Sequence, residues 1–129
     1  MNKWRLYLIC LLGALHLSAV AEDKLQRVYL FGVATNFNDS TVYLTDVQHL
    51  DSLTLNPDGS LPNYVGYALQ LKVYLEGSLD EREQTCAIIY SDKKKRLEKR
   101  FLAVRKKYQT HEEKAVKPIG TDVFRFQRK

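Results

Sequence analysis

The residues with the clearest potential for binding chemistry are the cations between positions 93 and 107. This stretch holds nine Lys or Arg residues and a single acid, Glu98. At about 100° per residue, Lys95, Lys99 and Lys106 form a row that points away from the apolar side of a helix. Four further cations form a flank beside the apolar side: Lys93, Arg96, Arg100 and Lys107. Such rows can follow the charges of nucleic acid or of an anionic envelope polymer; the alternative is a solvated helix face balanced by the acidic first half of the chain.

Aromatic side chains form a second candidate site. Tyr29 and Phe31 lie in an apolar run near the start of the chain, and Tyr43 lies in the next run. If both predicted helices cover one face of a sheet, these rings lie on the other face. An open aromatic face could stack bases, hold a sugar or contact another protein. The alternative is that the loop over residues 47–63 covers it.

Patterns for catalysis or metal binding are sparse. His49 lies between Asp46 and Asp51, and this imidazole with two carboxylates is the best candidate site if the protein is a small enzyme. A structural metal site needs about four ligands, and no Cys or second His is near, so we expect neither metal nor cofactor. The chain has no nucleophile elbow, Gly-rich phosphate loop or paired Cys motif. We therefore assign no catalytic residue.

Hydrophobic periodicity predicts the elements that position these residues. In chain order they are strands at 26–34 and 41–46, a helix at 64–75, a strand at 86–90, a helix at 93–108 and a strand at 122–127. Turn signals fill the 47–63 loop. The order β-β-α-β-α-β predicts an α+β two-layer sandwich, with a mixed four-stranded sheet and two helices on one face.

The first 21 residues have the pattern of a secretory signal peptide. Lys3 and Arg5 precede an apolar run over 6–17, and the small residues Ala19 and Ala21 come before an acidic segment. The apolar run is well short of the roughly 20 residues that span a bilayer. We expect cleavage after residue 21, leaving residues 22–129 as one domain in the periplasm or outside the cell, with no membrane span.

Cleavage at this position gives a first testable prediction. Mass spectrometry of the exported protein should show Glu22 as the first residue, because the small residues at 19 and 21 fit the signal peptidase. A full-length product retained in the membrane would contradict the assignment.

Charge and cysteine content constrain the mature chain further. Residues 22–90 carry four basic and ten acidic side chains (net −6), whereas residues 91–129 carry fourteen basic and five acidic ones (net +9). This asymmetry indicates an anionic partner or attraction between the two halves. After cleavage Cys86 is the only cysteine, so an intramolecular disulfide is excluded. Its apolar surroundings favour a small buried side chain over a reactive thiol or an intermolecular bridge.

Several stretches together resemble a known group of proteins. They are the runs at 28–34 (VYLFGVA) and 37–48 (FNDSTVYLTDVQ), Thr85 and Cys86 before an apolar strand, and the Lys-rich helix. In these features the chain resembles small exported proteins of unknown function from Bacteroidetes-type bacteria. The resemblance implies export from a Gram-negative cell and no particular activity. Independently of the resemblance, the signal peptide, the single-domain length and the missing catalytic motifs favour a non-enzymatic binding domain, whose partner could be an anionic envelope polymer or another protein.

Overall fold

The structure is a computed structural model that describes residues 25–129. Its central strand is β1, Gln26–Thr35. β1 pairs along both edges, with Tyr29 opposite His49 on one side and Ser91 on the other. Its side chains are buried on both faces, as its apolar sequence predicts for a central strand. The predicted signal peptide lies outside the described residues.

Within residues 25–129, the remaining elements are two helices and four strands. They are β2 (Thr41–Thr45), β3 (Gln48–Leu53), α1 (Tyr64–Ser78), β4 (Thr85–Ser91), α2 (Lys94–Lys106) with a π-helical turn at Lys107–His111, and β5 (Ala115–Ile119). β2, β3 and β4 run antiparallel to β1, and β5 runs parallel to β2. The predicted α+β class, with a mixed sheet and two helices in a single domain, is confirmed. The sheet has five strands rather than four.

β3 corrects the prediction that residues 47–63 form one long loop. β2 and β3 pair with the same edge of β1, β2 at Val33 and β3 at Leu30, and their registers differ by one residue. They therefore act as one strand interrupted by a bulge at residues 46–47. The buried residue that opens β3 is Gln48, so the alternation of apolar and polar residues that marks a strand is weak there.

The predicted strand over 122–127 is also wrong, because the last strand is β5. Residues 120–129, here called the tail, instead pack with α1 against the sheet and bury Phe124 and Phe126. The buried Gln48 side chain donates from Nε2 to the Phe124 carbonyl (3.1 Å) and accepts from the Phe126 N–H at Oε1 (2.8 Å). Gln70 holds both backbone groups of Gln127 in the same way, at 2.7 and 2.8 Å. Glutamine side chains thus take the place of a neighbouring strand.

The two helices lie on opposite faces of the sheet, which corrects the prediction of one shared face. α1 packs in the cluster that contains Leu30 and Ala34, whereas α2 packs in the cluster that contains Phe31 and Val33. These pairs alternate along β1 and so point to opposite sides. The architecture is therefore a helix layer on each side of the sheet.

The direction of the connections explains this arrangement. α1 joins β3 to β4 and α2 joins β4 to β5, and all three strands run in the same direction. The first connection crosses β1 toward β4, and the second crosses back. Because connections between parallel strands share a right-handed sense, crossings in opposite directions place their helices on opposite faces.

Gly32 allows α1 to approach β1 closely. A Cβ atom at this position would lie 2.6 Å from Leu71 Cδ2 and 3.2 Å from Phe126 Cζ. The Gly32 N–H donates to the buried Thr45 hydroxyl at 2.8 Å. The absence of a side chain at Gly32 thus creates the space that Leu71 fills.

β4 lies at the edge of the sheet. Within residues 25–129 it pairs with β1 alone, through seven residue pairs. On its outer side the Ile88 N–H donates to the hydroxyl of Tyr64, the first residue of α1, at 2.9 Å. The Tyr64 ring also meets Tyr90 edge to face at 6.4 Å.

Candidate functional site

The basic helix α2 is fixed to the sheet by its apolar side, which the helical spacing of Leu97, Phe101, Val104 and Tyr108 predicts. Leu97 is fully buried, and Phe101 and Val104 pack partly buried in the same cluster. The Phe101 ring meets Phe31 edge to face, with centroids 5.3 Å apart and an interplanar angle of 88°. Because this side of α2 is occupied, its opposite side faces solvent.

All seven predicted binding cations lie exposed on α2 or directly beside it. They are Lys93, Lys95, Arg96, Lys99, Arg100, Lys106 and Lys107. Within residues 25–129 the helix makes one ion pair, from Lys94 Nζ to Glu98 Oε1 at 4.0 Å. Two cations lie over aromatic rings instead, Arg105 on Phe101 (5.7 Å) and Lys107 on Tyr108 (5.5 Å).

Among residues 25–90, no acidic side chain forms an ion pair with this helix. Asp51 pairs with Arg27 at 2.6 Å, and Glu81 accepts a hydrogen bond from Tyr43 at 2.8 Å. Asp80 pairs with the nearby Arg82 at 3.4 Å. These three acids thus have partners outside α2, and the helix keeps a local excess of positive charge.

The three aromatic candidates do not share an open face. Phe31 is fully buried beneath α2, while Tyr43 is buried on the opposite face with α1. Tyr29 is partly buried, with its ring edge to face with His49 at 6.3 Å. Burial and the hydrogen bond to Glu81 raise the pKa of Tyr43 to about 12, so its hydroxyl stays protonated. α2 covers the face that was expected to be open.

The acidic and histidine candidates are only partly brought together. His49 Nδ1 lies 3.4 Å from Asp51 Oδ1, and both side chains are more than half exposed on β3. The hydrogen bond from Arg27 holds the pKa of Asp51 below its usual value. Asp46 is separate, because its carboxylate approaches Gly120 and its N–H donates to the Ile119 carbonyl at 3.1 Å. The trio does not converge on one reacting centre.

Metal-binding and thiol chemistry receive no support from the described geometry. No group of three His, Cys, Asp or Glu side chains within residues 25–129 is placed to hold a metal ion. Cys86 is a free, partly buried thiol packed against the α1 side of the core. Burial raises its pKa to about 11, which keeps the thiol protonated and weakly nucleophilic near neutral pH.

The structure contains a groove between α1 and the tail that the sequence patterns did not predict. It has a volume of about 460 Å³, and its apolar lining includes Leu69, Val73 and Phe124. The signal for it was available, because Val65, Leu69 and Val73 recur every four residues on the side of α1 opposite to its buried positions. We call it the α1 groove.

Comparisons with known proteins do not assign either surface. No protein-family model, no curated protein and no solved structure matches this chain. In the part of the chain that the structure describes, neither helix has the length and apolar composition needed to cross a bilayer.

Proposed function

We propose that the protein is a small exported, non-enzymatic domain of the periplasm or cell envelope that binds an anionic polymer through the outer surface of α2. The observation that carries the proposal is the exposure of the predicted cations on a helix with one weak internal ion pair. Export rests on the N-terminal pattern and on the resemblance to exported Bacteroidetes-type proteins.

The geometry of the helix suits an extended ligand. The row from Lys95 to Lys106 presents three cations over about 17 Å along the helix, a length over which an extended polyanion carries several charged groups. The row is presented on a helix whose other side is locked into the core at Leu97. Since the scaffold does not have to reorganise, little additional ordering cost is expected on binding.

The absence of a converging catalytic group favours binding over turnover. The candidate enzyme site would require Asp46 to join His49 and Asp51, whereas the contact is limited to His49, Asp51 and Arg27. An exposed ion pair on a strand has neither the enclosure nor the desolvation typical of catalytic groups.

Neutralising the row should weaken polyanion binding. In the variant Lys95→Gln, Lys99→Gln, Lys106→Gln, the affinity for a short DNA duplex, used as a defined polyanion, should fall. The slope of log affinity against log salt should become shallower by about 0.9 for each lost phosphate contact. Folding should persist, because exposed substitutions usually change stability by no more than about 0.5 kcal/mol. Salt-dependent titration by fluorescence anisotropy measures both quantities.

A matched variant separates a localised surface from overall charge. Lys72→Gln, Lys114→Gln, Lys117→Gln removes the same charge from positions outside α2 and should leave most of the affinity intact. An equal loss in the two variants would refute a binding surface on α2. A native protein that binds no polyanion even at low salt would refute the proposed function altogether.

A further inference from the structure

We propose that the α1 groove binds a single-chain amphiphile with an anionic headgroup, such as a long-chain carboxylate. This site lies on the other side of the sheet from α2 and takes a different class of ligand. The proposal depends on the shape, apolar lining and charge of the groove, and it is independent of polymer binding.

The apolar part of the groove comes from a helix with two apolar sides. Tyr67, Leu71 and Leu75 of α1 are fully buried against the sheet. On the other side, Leu69 is 54% exposed and Val73 is 59% exposed. A surface helix normally carries polar residues on its outer side, so this second apolar row has no role in the core of the domain. An acyl chain lying along it would remove apolar surface from water.

The charged part of the groove comes from the tail. Among the nine residues that line the groove, three are cations and none is Asp or Glu. The cations are Arg125, Arg128 and Lys129. Arg125 Nε donates to the Thr121 carbonyl and Arg128 Nη1 donates to the Ser52 carbonyl, both at 3.1 Å. Each guanidinium keeps further N–H groups for a carboxylate or phosphate, so the charge of the groove complements an anion.

The walls of the groove are held in place before any ligand enters. Gln70 and Gln127 are joined by two hydrogen bonds, and the Lys129 N–H donates to the Tyr67 hydroxyl at 3.0 Å. Phe124 at the base is buried and packs on Phe126, with ring centroids 4.9 Å apart. A preformed site avoids the cost of ordering its walls on binding.

The size and mixed lining of the groove suit a single amphiphilic chain. Its volume of about 460 Å³ lies within the ordinary range for small-molecule sites, about 300–1,000 Å³. Leu69 and Val73 stay more than half exposed along one wall, so an acyl chain lying there would cover apolar surface that the fold leaves open. An acyl chain can enter the groove while its headgroup stays at the cationic side.

Dodecanoate below its micelle concentration is the direct probe. Calorimetric titration of the exported protein should detect dodecanoate binding and no comparable binding of dodecyltrimethylammonium, which has the same chain and the opposite charge. Leu69→Gln should weaken dodecanoate binding by about tenfold or more through the chain. The double variant Arg125→Gln, Arg128→Gln should weaken dodecanoate binding by a similar factor, because it removes the cations that contact the headgroup. A tenfold loss corresponds to about 1.4 kcal/mol. Circular dichroism checks that these exposed substitutions preserve the fold.

The two proposed sites can fail separately. The α2 variant Lys95→Gln, Lys99→Gln, Lys106→Gln should keep its dodecanoate affinity, and Leu69→Gln should keep its affinity for the DNA duplex. Equal binding of both amphiphiles, or binding only to anionic vesicles, would overturn the proposal. A third result would also overturn it: the protein binds no dodecanoate, forms a dimer, and the dimer dissociates in the Leu69→Gln variant. The groove would then be an interface between copies of the chain.

Discussion

Replacing Gln48 with Met is expected to lower the free energy of unfolding by about 2–4 kcal/mol, because it leaves buried backbone groups without partners. The Gln48 amide satisfies the Phe124 carbonyl and the Phe126 N–H at 3.1 and 2.8 Å. Met fills a similar volume but can replace neither bond. Without them the tail has to expose its two buried rings or keep unsatisfied polar groups in the core. Urea unfolding followed by far-ultraviolet circular dichroism measures the loss.

Gln84 provides the matched control. Its amide is also buried, but within residues 25–129 neither Nε2 nor Oε1 has a hydrogen-bond partner. Gln84→Met removes two unsatisfied polar atoms and should be neutral or stabilising. If the two Met variants lose equal stability, the cost arises from the change of side-chain shape, and the role assigned to Gln48 is wrong.

Gly32→Ala should also destabilise the protein, by about 1–3 kcal/mol, because the added methyl group overpacks the contact with α1. Without a clash, Ala in a strand would be favoured over Gly by roughly 0.5–1 kcal/mol. The new Cβ would lie 2.6 Å from Leu71 Cδ2, and Phe126 and Ile88 close off the space around it. The same urea measurement gives the sign of the effect directly.

Two further variants test the cause of this loss. Gly77→Ala adds a methyl group on α1 where nothing lies within 4 Å, and it should stabilise the helix by up to about 1 kcal/mol. Leu71→Ala should cost about 2–5 kcal/mol alone and clearly less when combined with Gly32→Ala, because each change compensates the other. Strictly additive costs would show that the two residues are not coupled.

Local sequence patterns predict the elements formed by near neighbours in the chain. The β1–β2 hairpin has an Asx-rich turn, in which the Asn36 and Asp39 side chains accept hydrogen bonds from nearby backbone N–H groups. The apolar stripe of α2 follows from helical periodicity, and so does the exposure of its cations. In each case the residues that determine the structure lie within one element or turn.

Elements that depend on distant partners were not predicted. β5 contains Lys117 and Pro118, which are poor strand residues, and it forms because β2 offers a parallel edge. Phe124 and Phe126 alternate as in a strand, but the partners of their backbone groups are on Gln48, far away in the chain. The side of the sheet that α2 covers depends on the direction in which the β4–α2–β5 connection crosses the sheet, and no local sequence pattern encodes that direction.

The candidate sites divide in the same way. The α2 surface could be predicted, since helical spacing alone sets which cations share a side. The α1 groove could not be predicted in full, because Leu69 and Val73 belong to α1 while Arg125 and Arg128 belong to the tail. Only the fold brings the apolar and cationic parts together.

The hydrogen bond from Ile88 to Tyr64 bears on the resistance of the domain to aggregation. β4 is an edge strand of seven residues without charge or proline, the kind of edge that can template pairing with another chain. The Tyr64 hydroxyl accepts a hydrogen bond from the outward-facing N–H of Ile88, near the middle of β4, and the Tyr64 ring lies beside Tyr90. An incoming strand would have to displace this hydroxyl before a continuous ladder could form. The first residue of α1 thus blocks one of the outward hydrogen-bonding positions that an added strand would use on β4.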